Sequence, residues 1–308
     1  MLLKRNLANL REDSILGLAI RTWRADAESY SSRETPLSLQ RFLQSVWPRL
    51  DSPIFLVGAP RSGTTFLGAC LASLPQVSYH YEPVATRAVA RSVYEGRWSI
   101  RKARAFYRQV YRWLLRIHLN GHLRFAEKTP RNCFLIPFLR QTFPDSQFIH
   151  IIRDGRDVAH SLYQKPWLKR SSLDSGIREP GADPFGPHAR FWVETERRSE
   201  FEATTDMHRC IWAWRRHVES VLIASGSLPC GQYTEIRYES LVADPVREAE
   251  RLMDFLGIEA VSDREDFFAA ICSANARSVG KWQHALTTKE LSEIEGEAGS
   301  LLRQLGYV

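Results

Sequence analysis

The stretch GAPRSGTT, Gly58 to Thr65, lies between two apolar runs, IFLV before it and FLGACLASL after it. It fits the phosphate-cradling frame G-x-x-x-x-G-K-[ST] except at one fixed position, where Thr64 replaces the lysine. A buried strand, a glycine turn and a helix start aim backbone N–H groups and the positive helix end at an anion. Gly58 and Gly63 let the main chain close around that anion, and Thr64 and Thr65 add hydroxyl donors. In nucleoside triphosphatases the missing lysine reaches the β- and γ-phosphates. Here the loop cation is Arg61, whose planar fork meets the anion from the opposite side. The loop therefore suits one 5′-phosphate with a neighbouring anionic group better than a magnesium triphosphate. The bland alternative is a tight strand-to-helix turn that binds nothing.

FIHIIRDGRDVAHSL has the same grammar further along the chain. A buried strand delivers Arg153 at its C-terminal edge, where open α/β sheets bind ligands. Asp154 and Gly155 turn the chain, Asp157 is placed to cap the next helix, and Ser161 follows Arg153 by eight residues. A guanidinium and a hydroxyl together can hold a second phosphate. The competing reading makes Asp154 a magnesium ligand at a strand end, as in a nucleotide-dependent kinase. Two phosphate loops ask for a nucleotide phosphorylated at both ends of its ribose.

The rest of the chain of 308 residues frames these motifs. Apolar content of 44% and charged content of 25% are those of a globular protein. The net charge of +7 suits an anionic ligand, and because it is not gathered in a tail it does not argue for nucleic acid. The cysteines Cys70, Cys133, Cys210, Cys230 and Cys272 show no C-x-x-C spacing, so reduced thiols in a cytoplasmic protein are expected, without a zinc knuckle. The N-terminus carries too many charges for a secretory signal or a membrane span. Its Leu7, Leu10, Leu16 and Leu18 have helical spacing, and residues 1–50 read as a helical extension. A basic helical stretch is expected from Ala85 to Leu119. The segment at about 165–205 is rich in Pro, Gly, Ser and charge and reads as a lid or insert; its Trp167, Phe185, Phe191 and Trp192 are available to stack on sugars or cover a lipid tail, or, as is commoner, to pack an irregular loop locally. Strands alternating with helices predict an α/β fold of three layers, P-loop-like, with a mainly parallel central sheet.

The two motifs resemble those of sulfotransferases that use 3′-phosphoadenosine-5′-phosphosulfate (PAPS). PRSGTTFL resembles their 5′-phosphosulfate loop, and IIRDGRDVAHSL their 3′-phosphate motif. EKTPRN, IRYESLVADP and the C-terminal KWQHALTTKELSEIEGEAGSLLRQLGYV extend the likeness over residues 52–308 and favour the bacterial and tyrosylprotein/carbohydrate-type branch. The resemblance implies that Arg61, Ser62, Gly63, Thr64 and Thr65 hold the 5′ end, and Arg153 and Ser161 the 3′-phosphate. It places Tyr238 beside adenine and Lys281, with Arg277 near it, on the cofactor, although the R-x-G-x-x-G of the cytosolic branch is absent. It implies the product 3′,5′-adenosine bisphosphate and no metal.

Sulfuryl transfer needs a base for the acceptor hydroxyl, a role that typically contributes ~10²–10⁴-fold. Glu82 and His80 in SYHYEP are the candidates; the tyrosylprotein branch favours Glu82 as base, with His80 orienting it or touching the acceptor. The bland reading of Glu82 is a surface turn before Pro83. Lys128 matches a lysine that polarises the leaving oxygen, a role shared with Arg61; its alternative is an ion pair with Glu127 or Asp154. The expected acceptor is a small molecule, glycan or lipid, in the order of a carbohydrate or glycolipid hydroxyl, then a hydroxylated secondary metabolite, then a peptide tyrosine, and a homo-oligomer is compatible with the sequence. The rival readings are a kinase requiring ATP and magnesium, and a nucleotide-binding scaffold without turnover.

Overall fold

In the computed structural model, IFLV is strand β1 (Ile54–Val57), buried at every position. The structure describes residues 38–178, 183–258 and 265–307, so the N-terminal leucine pattern at Leu7–Leu18 lies outside the described residues. With β2 (Val77–Tyr81), β3 (Arg124–Lys128), β4 (Gln147–Ile152) and β5 (Tyr233–Arg237), β1 forms a five-stranded sheet in the order β2-β3-β1-β4-β5. Every pairing is parallel. The fold is α/β, as the alternation of strand and helix patterns predicts.

Period-two alternation sorts the strand residues into two layers. Phe55, Val57, Phe125, Phe148 and Ile152 face one core, shared with the helices Val84–Tyr94, Ile100–Ile117, Asp206–Ser225 and Thr288–Gln304. Ile54, Leu56, Ala126, Ile149 and Ile151 face the other, closed by Thr64–Ala72, Pro245–Leu256 and Glu265–Cys272. Each fully buried Leu, Ile or Phe contributes about 1.5–3 kcal/mol relative to exposure, so both layers are strongly held to the sheet. The basic helical stretch expected from Ala85 to Leu119 forms two helices, because Gly96 takes a positive φ of 68° and the Ser99 side chain caps the second on Lys102 N at 3.3 Å. The five cysteines are free thiols. Among the described residues no helix is long and apolar enough to cross a membrane.

The strand order matters for function. β1 has β3 on one side and β4 on the other, so the connection from β3 to β4 passes over it and opens a crevice at the C-terminal edge. Read across that edge, the strands end at Glu82, Lys128, the glycine loop, Arg153 and Tyr238. Residues far apart in sequence are thereby placed about one strand spacing, ~4.8 Å, from their neighbours.

Candidate functional site

The glycine loop is built to leave its backbone open. Gly63 is the N-cap of the helix Thr64–Ala72 with φ 95°, and a Cβ there would stand 2.5 Å from the Tyr238 ring. Only glycine fits both the dihedral and the space. Ser62 N bonds Ala59 O at 3.1 Å, and the Ser62 hydroxyl is buried with no hydrogen-bond partner. Thr64 is buried and Thr65 exposed on the first helical turn. Arg61, at the loop tip, holds a φ of 75°, a conformation costing roughly 1–3 kcal/mol for a residue with a side chain.

The second motif meets the first. Arg61 Nε donates to Ser161 Oγ at 3.1 Å, and Arg153 Nη1 reaches Arg61 O at 3.4 Å. Arg153 is buried, lies 4.9 Å from the Tyr238 ring centroid, and donates to Ser278 O; its Nε has no partner. Trp214 Nε1 holds the Arg153 carbonyl at 3.0 Å, and Tyr238 accepts from the Ser278 hydroxyl at 2.9 Å. One correction concerns the aspartates. Asp154, not Asp157, caps the following helix by accepting from Arg156 N at 2.9 Å, and it also pairs with the Arg156 side chain at 2.8 Å. Asp157 instead takes Gly280 N at 2.8 Å and Trp282 N at 3.0 Å, and pairs with Arg153 at 3.4 Å. It thus fastens the segment carrying Arg277 and Lys281, both exposed, beside the Arg153 strand end.

Across the crevice, register explains the other pair. Tyr81 is opposite Lys128, so Glu82 follows directly and donates its N–H to Lys128 O at 3.0 Å. Glu82 leaves the strand with φ 43° and turns its carboxylate between two cations, Lys128 Nζ at 2.5 Å and Arg87 Nη1 at 2.6 Å. Burial pushes the Glu82 carboxyl up, but Arg87, Lys128 and then Arg131 more than offset this and hold it below the usual carboxylate range. Lys128 is buried, with its ammonium 3.9 Å from the Tyr81 ring centroid. Its ion pair is with Glu82, not with Glu127 or Asp154. Arg87 is a site residue that the sequence reading missed; Glu–Pro followed by a helical Arg five positions on was the available signal.

His80 does not join this group. Strand alternation sends it to the helix-packed layer, fully buried, stacked on Phe125 at 4.9 Å between centroids and 3.0 Å from Ser78 Oγ. The structure therefore sets His80 apart from Glu82, because the strand carries it to the core before the chain turns.

Glu127, beside Lys128 in sequence, is fully buried on that same inner layer and accepts from Tyr111 Oη at 2.7 Å and Asn132 Nδ2 at 2.5 Å. Burial drives its carboxyl up to about 7, against the lowering pull of those two hydrogen bonds. A carboxyl raised in the folded state loses stability as pH climbs from the unfolded value toward the folded one. Glu127→Gln keeps the acceptor oxygen without the charge. In denaturant unfolding, its stability relative to wild type should rise by about 3 kcal/mol between about pH 4 and pH 7. A difference independent of pH would contradict this.

A cavity of about 360 Å³ opens beside Glu82 and Pro60, walled by Trp167, Leu168, Phe185 and Trp192 from the segment after Lys165. The site thus has a cationic half at β1, β4 and β5 and an apolar half next to the Glu82–Lys128 pair.

A family model described as Sulfotransferase family matches residues 53–263. Human Carbohydrate sulfotransferase 2 is 27% identical over 196 residues, covering 56% of this chain and 37% of that protein. Protein-tyrosine sulfotransferase A of Caenorhabditis elegans is 21% identical over 287 residues, covering 82% and 67%. The chain thus spans little more than a third of the human relative. Among solved structures, mouse sulfotransferase SULT7A1 complexed with PAP aligns with a TM-score of 0.48 at 15% identity, covering 84% of this chain and 88% of that one. Matched over more than half of its length, the chain belongs to the sulfotransferase family.

Proposed function

We propose that this sulfotransferase takes its sulfuryl group from PAPS and passes it to an acceptor hydroxyl of a small molecule, glycan or lipid, with Glu82 as general base. The observation that carries the reading is the meeting of two phosphate-type cations, with Arg153 Nη1 3.4 Å from Arg61 O and Arg61 Nε 3.1 Å from Ser161 Oγ. The residues fit such a nucleotide. Orphaned buried donors at Ser62 Oγ and Arg153 Nε await a partner, and burying them without one is costly.

When bound, PAPS supplies an activated sulfuryl group whose departure leaves negative charge on a phosphate oxygen. The first-turn N–H groups, Ser62, Gly63, Thr64, Thr65 and Arg61 would hold its 5′ end. Arg153 and Ser161 would hold the 3′-phosphate, Tyr238 would face adenine, and Arg277 and Lys281 would close over it. Lys128 and Arg61 would stabilise the charge of the leaving oxygen, a preorganised electrostatic contribution. Lys128 has a second claim on its ammonium, from Glu82 at 2.5 Å. Were Lys128 to turn toward the leaving oxygen, Glu82 would keep only Arg87 and the more weakly acting Arg131, and its proton affinity would rise, which suits a base. Glu82 then takes the acceptor proton.

Incubation of the full chain with PAPS carrying radiolabelled sulfate and a mixed small-molecule extract tests this. Labelled product should form in step with 3′,5′-adenosine bisphosphate. Transfer of a phosphoryl group from ATP–Mg in its place would overturn the reading.

A further inference from the structure

The cavity beside Glu82 limits what the acceptor can be. Its volume of about 360 Å³ is at the small end of ligand pockets, which run ~300–1,000 Å³. Pro60 and Glu82 tie it to the glycine loop and the base, while Leu162, Trp167, Leu168, Phe185 and Trp192 supply a broad apolar wall.

Several of the polar side chains that line it are engaged with one another or with backbone. Arg87 pairs with Glu82 at 2.6 Å, and Arg131 with Asp183 at 3.3 Å. Arg190 donates to Trp167 O at 2.9 Å and to His188 O at 3.2 Å. His217 Nδ1 sits 2.6 Å from Ala213 O. Thr129 Oγ1 is buried with no hydrogen-bond partner, on the strand end that follows Lys128. A sugar ring brings several hydroxyls into such a space. Each one left unpaired weakens binding by roughly fivefold to more than a hundredfold. An acidic peptide would have to displace the Arg87–Glu82 and Arg131–Asp183 pairs. An alcohol with one hydroxyl and an apolar body meets neither cost: its hydroxyl goes to Glu82, with Thr129 as neighbour, and its body covers the aromatic wall.

We propose that the acceptor is a monohydroxylated apolar compound, a medium-chain primary alcohol or a molecule of that chemistry, seated between Glu82 and the wall of Trp167, Leu168 and Phe185. This deepens the proposed function and rests on it for the role of Glu82, but not for the chemistry of the cavity.

Calorimetric titration of the full chain with straight-chain alkan-1-ols from butanol to nonanol tests it, with and without saturating 3′,5′-adenosine bisphosphate. Kd should fall about fourfold per added methylene until the cavity is filled. Phe185→Ala and Trp167→Ala should each weaken nonanol by about tenfold or more while nucleotide affinity stays unchanged. N-acetylglucosamine, cellobiose and an acidic tyrosine peptide should give no heat. Binding of a sugar or the peptide with no alkanol bound, or an alkanol series with no dependence on chain length, would overturn the proposal. An alkanol series with the expected slope in a protein that does not bind the nucleotide would leave the acceptor class standing and remove the PAPS reading.

Discussion

Glu82→Gln should lower sulfuryl transfer by about 10²–10⁴-fold while nucleotide affinity is nearly unchanged. The carboxylate is placed by strand register and by a left-handed backbone turn of φ 43°, not by the nucleotide loop, so its loss touches the acceptor side. Glutamine fills the same volume and still offers Lys128 an oxygen, but it cannot take a proton. It also leaves Lys128 and Arg87, at 2.5 Å and 2.6 Å from the wild-type carboxylate, without their counter-charge. Breaking a buried pair in this way costs about 3–5 kcal/mol of stability, which urea unfolding at neutral pH would read. The pH dependence has a definite sign. Because the folded Glu82 titrates below its ordinary range, its stabilising contribution is full at neutral pH and is lost as pH falls through that depressed value. The wild-type advantage over Glu82→Gln should therefore shrink in acid. A variant with full transfer activity would remove Glu82 from the role of base.

The second large effect belongs to Arg153→Ala, which should weaken 3′,5′-adenosine bisphosphate by about 10²-fold or more, the scale of a truncated buried charge partner. Arg153 is the hub of the 3′ side: it touches Ser278 O, Arg61 O, Asp157 and the Tyr238 ring. Its removal leaves Asp157 with the N–H groups of Gly280 and Trp282, so the fold has a remaining tie to the segment that follows. The loss should thus fall mainly on ligand affinity. Arg153→Lys should restore little, since a single ammonium cannot reach several partners arranged around a planar fork. Binding of the bisphosphate by Arg153→Ala at wild-type strength would place the 3′-phosphate elsewhere.

Much of this arrangement is local and therefore legible in the sequence. IFLV followed by GAPRSGTT, and QFIHIIRD followed by GRDVAHSL, are strand–turn–helix units whose apolar runs and glycines determine both elements. That Arg61 lies in the turn after one strand and Arg153 at the end of the other follows from the same patterns. What pairs with what is not local. The Glu82–Lys128 contact depends on the Tyr81–Lys128 register, and Asp157 finds its partners at Gly280 and Trp282, more than a hundred residues away. The fate of His80 turned on one residue of strand parity, which a short run such as VSYHY leaves ambiguous until its end is known. In the sequence Glu127 is a candidate ion-pair partner of its neighbour Lys128; its burial against Tyr111 and Asn132 depends on a helix docked from elsewhere. The apolar wall of the cavity comes from a segment without periodicity, where the sequence offers aromatic residues but no direction for them.

The account rests on two cationic strand ends acting on one doubly phosphorylated nucleotide. Calorimetric titration of the full chain with 3′,5′-adenosine bisphosphate and with ATP–Mg measures that directly. Saturable binding of the bisphosphate at one site per chain, at least about a hundredfold tighter than ATP–Mg, is the expected result. Equal or tighter binding of ATP–Mg would contradict it.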